Sequence, residues 1–135
     1  MILFVDDDVH LMASYLDELE DDGFTVRVCR SADECLDAVG TTHELDAVIL
    51  DVMMAPGSFG ASMTDAGMNT GIVLLQELRK RHRDLPVVVL TNRVDAGDLQ
   101  VQDPHTMVVG KCDVLPPDLV LLLRRLLNGT DGTES

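Results

Sequence analysis

The chain has 135 residues, a length suited to one domain with its own core, and its 46% hydrophobic content excludes a disordered protein. The formal net charge of −14, with only ten Lys and Arg residues, argues against a role in nucleic-acid binding, because a phosphate backbone attracts clusters of basic residues. No apolar run reaches the roughly 18 residues of a membrane span, and the three cysteines lack metal-ligand spacing, so we expect a cytoplasmic protein without a membrane partner.

Five short apolar segments are predicted to be strands. They cover residues 2–5, 24–28, 46–51, 86–90 and 106–109. The run from Asp46 to Asp51 is continuous and apolar up to its last residue, as is typical of a parallel strand buried on both faces. The segment 24–28 alternates apolar and polar residues, which favours a position near the edge of the sheet.

Helical periodicity separates these strands. Apolar residues recur at helical spacing from Leu11 to Leu19 before Gly23, from Ile72 to Leu78, and from Leu119 to Leu126 after Pro116 and Pro117. Ser31 and Glu34 form the pattern of a capping box at the start of another helix, which we expect to end at Gly40. Alternating strands and helices predict a doubly wound α/β domain.

Two segments break this pattern. Residues 53–70 contain glycines and methionines without a sustained period, and we interpret them as an inserted loop, either a mobile segment without a role or a lid or partner-binding loop. The segment from Arg93 to His105 is weakly periodic, with a short helix possible near residues 95–101. We expect a domain at residues 1–128 and a disordered tail at 129–135.

Chemically active side chains stand where the predicted strands end. They are Asp6, Asp7, Asp51, Thr91 and Lys111. Because the carboxyl ends of parallel strands share one edge of the sheet, we expect these side chains to meet there. Three carboxylates suit Mg²⁺, and a hydroxyl and an ammonium group opposite them suit two oxygens of a tetrahedral anion.

On these residues the chain resembles a response-regulator receiver domain of two-component signalling, the single-domain chemotaxis type included. The motifs that carry the resemblance are Phe4–Asp7, Leu50–Asp51, Met54 with Pro56, Leu90–Thr91, and Lys111. The resemblance covers residues 2–127. It implies a flavodoxin-like, five-stranded parallel sheet in the order 2-1-3-4-5 with helices on both faces.

The resemblance also implies a function. A histidine kinase or a phosphotransfer protein would transfer a phosphoryl group to Asp51, and an unidentified effector would read the result through protein contacts. Mg²⁺ would be held by Asp7, Asp51 and the Met53 backbone carbonyl, with Asp6 acting through water. Lys111 would contact the phosphoryl group, and Thr91 with position 108 would form the switch. Such a domain accepts a phosphoryl group and loses it slowly, and it is not an enzyme in the usual sense.

Several positions depart from the family pattern and leave alternatives open. Val108 replaces a switch aromatic, Cys112 replaces the proline after Lys111, Asn92 replaces a small residue, and 20 positions separate Asp51 from Gly71. These departures favour a pseudo-receiver that acts as a phosphorylation-independent interaction module. A Mg²⁺-dependent phosphohydrolase is a third interpretation, which Met53 opposes because it cannot act as a general acid. A start at Met1 fits a complete receiver or one cut from a larger protein.

Overall fold

The computed structural model describes residues 1–91 and 103–129. In this part of the chain the strands are β1 (Ile2–Val5), β2 (Val26–Cys29), β3 (Ala47–Asp51), β4 (Val87–Thr91) and β5 (Thr106–Gly110). The helices are α1 (Ala13–Asp21), α2 (Ala32–Thr41), α3 (Gly60–Thr64), α4 (Thr70–Arg81) and α5 (Pro116–Gly129). Short 3-10 turns cover Val9–Met12, Gly57–Phe59 and Lys111–Asp113.

The five strands form one parallel sheet in the order β2-β1-β3-β4-β5, which confirms the predicted topology. The alternating strand 24–28 is the edge strand β2, as its pattern indicates. The register aligns Val5 with Leu50, Asp51 with Leu90, and Thr91 with Gly110. The carboxyl ends of β1, β3, β4 and β5 are therefore level with one another, and the residues after them lie along one edge.

The core has two layers because successive strand residues point to opposite faces of the sheet. On one face Leu3, Val5 and Leu50 pack with α2 and α4. On the other face Phe4 and Ile49 pack with α1 and α5. The continuous apolar runs of β1, β3 and β4 are thus explained by burial on both sides.

The helix ends follow the predicted capping with one correction. The Ser31 hydroxyl accepts a hydrogen bond from the Glu34 backbone N–H at 3.1 Å, so the capping residue is the one that the sequence indicates. The prediction that Gly40 ends this helix is wrong, because α2 continues to Thr41 and Thr42 caps it. Gly40 has a negative φ angle and fits the helix without strain.

The interpretation of residues 53–70 as a loop also needs correction, since the segment contains a 3-10 turn and helix α3 and ends with the first residue of α4. Its backbone is held in place, because the Met54 N–H donates to the Gly67 carbonyl at 3.2 Å and the Thr70 hydroxyl donates to the Met54 carbonyl at 2.7 Å. Short helices with glycines at their ends carry no periodicity long enough to recognise in the sequence.

Two sequence predictions fall partly or wholly outside the described residues. The possible helix near 95–101 lies outside them, and so does the predicted tail from residue 130 onward. Gly129, assigned to that tail, is the last residue of α5. Among the helices of residues 1–91 and 103–129, none is both long enough and apolar enough to span a bilayer.

Candidate functional site

Three aspartates meet at the carboxyl edge of the sheet. Asp6 and Asp7 directly follow β1, and Asp51 is the last residue of the neighbouring strand β3. Their carboxylate oxygens can all lie within 4.8 Å of one another. Asp6 and Asp51 are buried whereas Asp7 is exposed, so the cluster opens to solvent on the Asp7 side. The predicted convergence of these three carboxylates is present in the structure.

Asp6 is held on both of its carboxylate oxygens. Oδ1 accepts the backbone N–H of Asp8 at 2.8 Å, and Oδ2 lies 3.3 Å from Lys111 Nζ. The contact with Asp8 is a contribution that the sequence analysis missed. The signal for it is local, because an aspartate side chain commonly binds the backbone N–H two residues further on. With only 2% of its surface exposed, Asp6 has a fixed position in the site.

Lys111 is the cation of the site. Its Nζ lies 3.3 Å from Asp6 Oδ2 and 3.5 Å from Asp51 Oδ1, and its side chain is mostly buried. Lys111 enters from the strand end of β5, on the far side of β4 from Asp51. The ammonium group therefore bridges the carboxylates of β1 and β3, as expected from its place after the fifth strand.

Burial raises the pKa of the Asp51 carboxyl to about 6. The nearby Asp6 carboxylate raises this pKa further, while the Lys111 ammonium and the Met53 backbone N–H, which donates to the Asp51 carboxylate, lower it. A cluster of like charges in a partly desolvated site is unfavourable without a further cation. The site is thus electrostatically prepared to receive positive charge.

The donor set fits Mg²⁺. All three side chains offer hard oxygen ligands, and Mg²⁺ commonly takes one or two carboxylates and keeps several waters. The exposed Asp7 gives the ion a route from solvent. Asp6, Asp7 and Asp51 are the residues that could hold it, and a bound cation would favour the ionised form of Asp51, whose pKa is raised mainly by burial.

The remaining predicted site residues are placed less directly. Thr91 ends β4, is fully buried, and pairs in register with Gly110, the residue before Lys111. The Met53 side chain is exposed, and its backbone N–H contacts Asp51. Val108 is half-buried and packs against the core on the α2 and α4 face. The carbonyl role of Met53 and the switch roles of Thr91 and Val108 stay predictions.

The loop that carries Lys111 is a single 3-10 turn, Lys111–Asp113, and among the described residues every peptide bond is trans. The hydroxyl of Tyr15, from α1, donates to the Val114 carbonyl at 2.6 Å and shares the same proton weakly with the Lys111 carbonyl at 3.2 Å. Tyr15 falls at helical spacing within the apolar stripe from Leu11 to Leu19, which by itself predicts only a place in the core. No local pattern could reveal this contact, because 96 positions separate Tyr15 from Lys111.

Comparison with known protein families agrees with this geometry. Residues 2–102 match the family model described as the response regulator receiver domain. The chain belongs to this family. Receiver domains are signalling domains of two-component systems rather than conventional enzymes, and they generally bind Mg²⁺ at an acidic pocket.

Curated relatives agree with this assignment. The chain is 30% identical over 138 residues to the response regulator MprA from Mycobacterium sp. strain KMS, a match that covers 98% of this chain and 53% of the relative. It is also 30% identical over 138 residues to the transcriptional regulatory protein CpxR from Escherichia coli K12, with 98% of this chain and 51% of CpxR covered. This receiver thus spans about half the length of these relatives.

Solved structures show the same fold. A response regulator receiver protein from Sinorhizobium medicae WSM419 has a TM-score of 0.75 at 19% identity, covering 96% of this chain and 94% of that one. The receiver domain of NtrX from Brucella abortus has a TM-score of 0.71 at 25% identity, with coverage of 95% and 98%. The doubly wound sheet of this receiver is therefore that of its family.

Proposed function

We propose that this receiver accepts a phosphoryl group on Asp51, from a histidine kinase or a phosphotransfer protein, with Mg²⁺ in the site. The observation that carries the proposal is the convergence of Asp6, Asp7 and Asp51 with the Lys111 ammonium at one sheet edge. Three carboxylates repel one another, and a chain that needed only a stable sheet has no reason to gather them there. A phosphoacceptor site needs this combination of groups.

The transfer is a substitution at phosphorus. An ionised Asp51 oxygen attacks, an oxygen–phosphorus bond forms, and the bond from phosphorus to the donor's histidine nitrogen breaks with its electron pair left on that nitrogen. Lys111 favours the ionised form of Asp51 and would then contact a phosphoryl oxygen, since its Nζ is already 3.5 Å from Asp51 Oδ1. Positioning and charge stabilisation do most of the catalysis in such reactions.

Mg²⁺, when bound, would neutralise the negative charge on the phosphoryl oxygens. Asp7 and Asp51 would hold it with the Met53 backbone carbonyl, and Asp6 would act through a water molecule. The Asp6 carboxylate is suited to orient such a water molecule, because one of its oxygens accepts the Asp8 N–H at 2.8 Å and is held in place. The Met53 N–H, which binds the Asp51 carboxylate, also sets the position of the Met53 peptide unit.

The output of this receiver would pass through protein contacts. Thr91 would hydrogen-bond the new phosphate. The movement of Thr91 would displace β5, because Gly110 of β5 pairs with Thr91 and Val108 lies two residues before Gly110. An added phosphate that biases a two-state element is a common form of switch. We expect the kinase to contact the carboxyl edge of the sheet and the effector to contact the surface near β5.

The test is labelling with acetyl phosphate, with and without Mg²⁺, followed by intact mass. The wild-type chain should gain one phosphoryl group only with Mg²⁺, and Asp51→Asn should gain none. Asp46→Asn is a matched control, because it removes a carboxylate at the opposite end of the same strand segment, where Asp46 pairs with the Met1 ammonium group at 2.7 Å. It should be labelled like the wild type.

Appreciable labelling of Asp51→Asn would move the acceptor to another residue. If neither acetyl phosphate nor a panel of histidine kinases labels the folded wild-type protein, the phosphoacceptor function is wrong. The interaction-module interpretation would then be preferred.

A further inference from the structure

The side chain of Tyr15 links helix α1, which follows Asp6 and Asp7, to the turn that carries Lys111. Tyr15 lies in α1, the first α-helix after Asp6 and Asp7, and its hydroxyl reaches the loop of Lys111 across 96 sequence positions. The single hydroxyl proton is shared between two carbonyl oxygens, that of Val114 at 2.6 Å and, more weakly, that of Lys111 at 3.2 Å. These two carbonyls belong to the first residue and the C-cap residue of a single 3-10 turn.

The described residues provide no side-chain cap at the start of this turn. Its N-cap residue, Gly110, and its C-cap residue, Val114, both have extended backbone angles, and the N-cap side makes no side-chain hydrogen bond. A 3-10 turn of three residues is marginal by itself because its hydrogen-bond geometry is poor. The buried phenol lies within hydrogen-bond distance of carbonyls at both ends of the turn, so it adds a constraint from outside the turn itself.

The phenol is itself well fixed. Tyr15 is 8% exposed and packs in the core layer of α1 and α5 together with Met12, Val114 and Leu119. Its position is therefore set by the same helix packing that places α1 against the sheet. The hydroxyl thus contacts the backbone of the residue whose Nζ lies 3.3 Å from Asp6 Oδ2 and 3.5 Å from Asp51 Oδ1.

We propose that Tyr15 is a positioning residue for phosphoryl transfer, which holds the Lys111 turn so that the ammonium group faces the Asp51 carboxylate. The proposal rests on the proposed phosphoacceptor function. Tyr15 does not touch the phosphoryl group and acts through Lys111. Its hydroxyl takes part in ordering the site, while its ring serves the core.

The first test is Tyr15→Phe, which keeps the ring and removes the hydroxyl. The rate of labelling by acetyl phosphate at saturating Mg²⁺ should fall by roughly three- to tenfold, since a small misplacement of a catalytic group lowers the rate strongly. The affinity for Mg²⁺, measured by calorimetry, should not decrease, because Asp6, Asp7 and Asp51 are unchanged. A merely structural defect would weaken both.

A double-mutant cycle shows whether Tyr15 acts through Lys111. Lys111→Met removes the ammonium group, and the residual labelling rate of this variant is the reference. Adding Tyr15→Phe to it should change that rate by less than twofold, because residues that act as a unit are not additive. An additional loss as large as the one in the wild-type background would overturn the proposal.

A control variant separates positioning from stability. Ile2 is fully buried in the same core layer, at the start of β1 and away from the candidate site, so Ile2→Ala weakens the core without disturbing α1 or removing the hydroxyl. It should lower the urea midpoint at least as much as Tyr15→Phe and leave the labelling rate of the folded protein within twofold of the wild type. If Ile2→Ala slows labelling as much as Tyr15→Phe does, Tyr15 has no special role.

The chain also offers a readout that does not depend on phosphorylation. Lys80 and Lys111 are its two lysines, and Lys80 is exposed on α4 and serves as an internal reference. The protein is acetylated with trace acetic anhydride, and the ratio of the Lys111 acetylation rate to the Lys80 rate is measured. This ratio should be several times higher in Tyr15→Phe than in the wild type. An unchanged ratio would contradict the positioning role even if wild-type labelling at Asp51 failed, so the two proposals are tested separately.

Discussion

Gly71 lies where the first turn of α4 crosses the end of β3. Its backbone N–H donates to the Val52 carbonyl at 2.8 Å. A Cβ atom at this position would lie 2.1 Å from the Asp51 carbonyl oxygen and 2.6 Å from the Val52 Cα, both of them backbone atoms that cannot turn aside. The absence of a side chain at residue 71 therefore determines how closely α4 approaches the candidate phosphoacceptor.

Gly71→Ala should displace the Asp51 backbone and destabilise the fold by about 1–3 kcal/mol, the usual range for an overpacked core. The labelling rate at Asp51 should fall as well, because the carboxylate moves with its backbone. The free energy of unfolding in urea and the acetyl phosphate assay measure the two effects.

Gly40→Ala is the matched control for this prediction. A Cβ atom at Gly40 would meet nothing within 4 Å, and the residue is in helix α2. The change should stabilise the protein by up to about 1 kcal/mol and leave labelling unchanged. If Gly71→Ala instead has the stability and labelling rate of the wild type, the prediction is wrong, and α4 can move away from β3 without loss of stability.

The inserted segment is the element that most distinguishes this chain from a simple alternation of strands and helices. It is joined to α2, because the Ser58 backbone N–H donates to Asp33 at 3.1 Å and the Ser58 hydroxyl donates to the same carboxylate. Inside the segment Thr64 is fully buried, and it donates to the Gly60 carbonyl while accepting the Gly67 N–H. The segment is thus a small folded unit between β3 and α4.

Deleting residues 57–68 should leave a cooperatively folding protein. The ends of the cut are close, because the Met54 N–H binds the Gly67 carbonyl, and loop length affects stability only logarithmically. We expect a loss of about 1–3 kcal/mol as Met54 becomes exposed, measured by urea unfolding with circular dichroism. A broad, non-cooperative transition would show instead that the segment is part of the core.

At the scale of the whole molecule, the two core layers differ in their titratable groups. Cys29 and Cys35 are both fully buried, with free thiols, in the layer formed with α2 and α4. Burial raises the pKa of the Cys29 thiol to about 11 and that of the Cys35 thiol to about 12. The folded protein therefore keeps both thiols protonated where an unfolded chain would ionise them.

Stability should consequently fall as the pH rises above about 9. Below the unfolded thiol pKa of 9.0 both states hold their protons, and between that value and about 11 the unfolded state releases protons first and is favoured. Urea midpoints measured from pH 8 to 10.5 should decline, and Cys29→Ala with Cys35→Ala should decline less steeply. Equal slopes in the two proteins would assign the decline to other groups.

The sequence by itself determined the alternation of strands and helices, the edge position of β2, and the convergence of Asp6, Asp7, Asp51 and Lys111, because apolar runs and strand ends are local features. The strand order was predicted from the resemblance to receiver domains. Only the tertiary structure decided the remaining features. Gly71 meets the Asp51 backbone, the insertion folds against Asp33, and Tyr15 reaches the Lys111 turn. Each of these joins separate elements through a close approach that has no period in the chain, so local patterns cannot predict it.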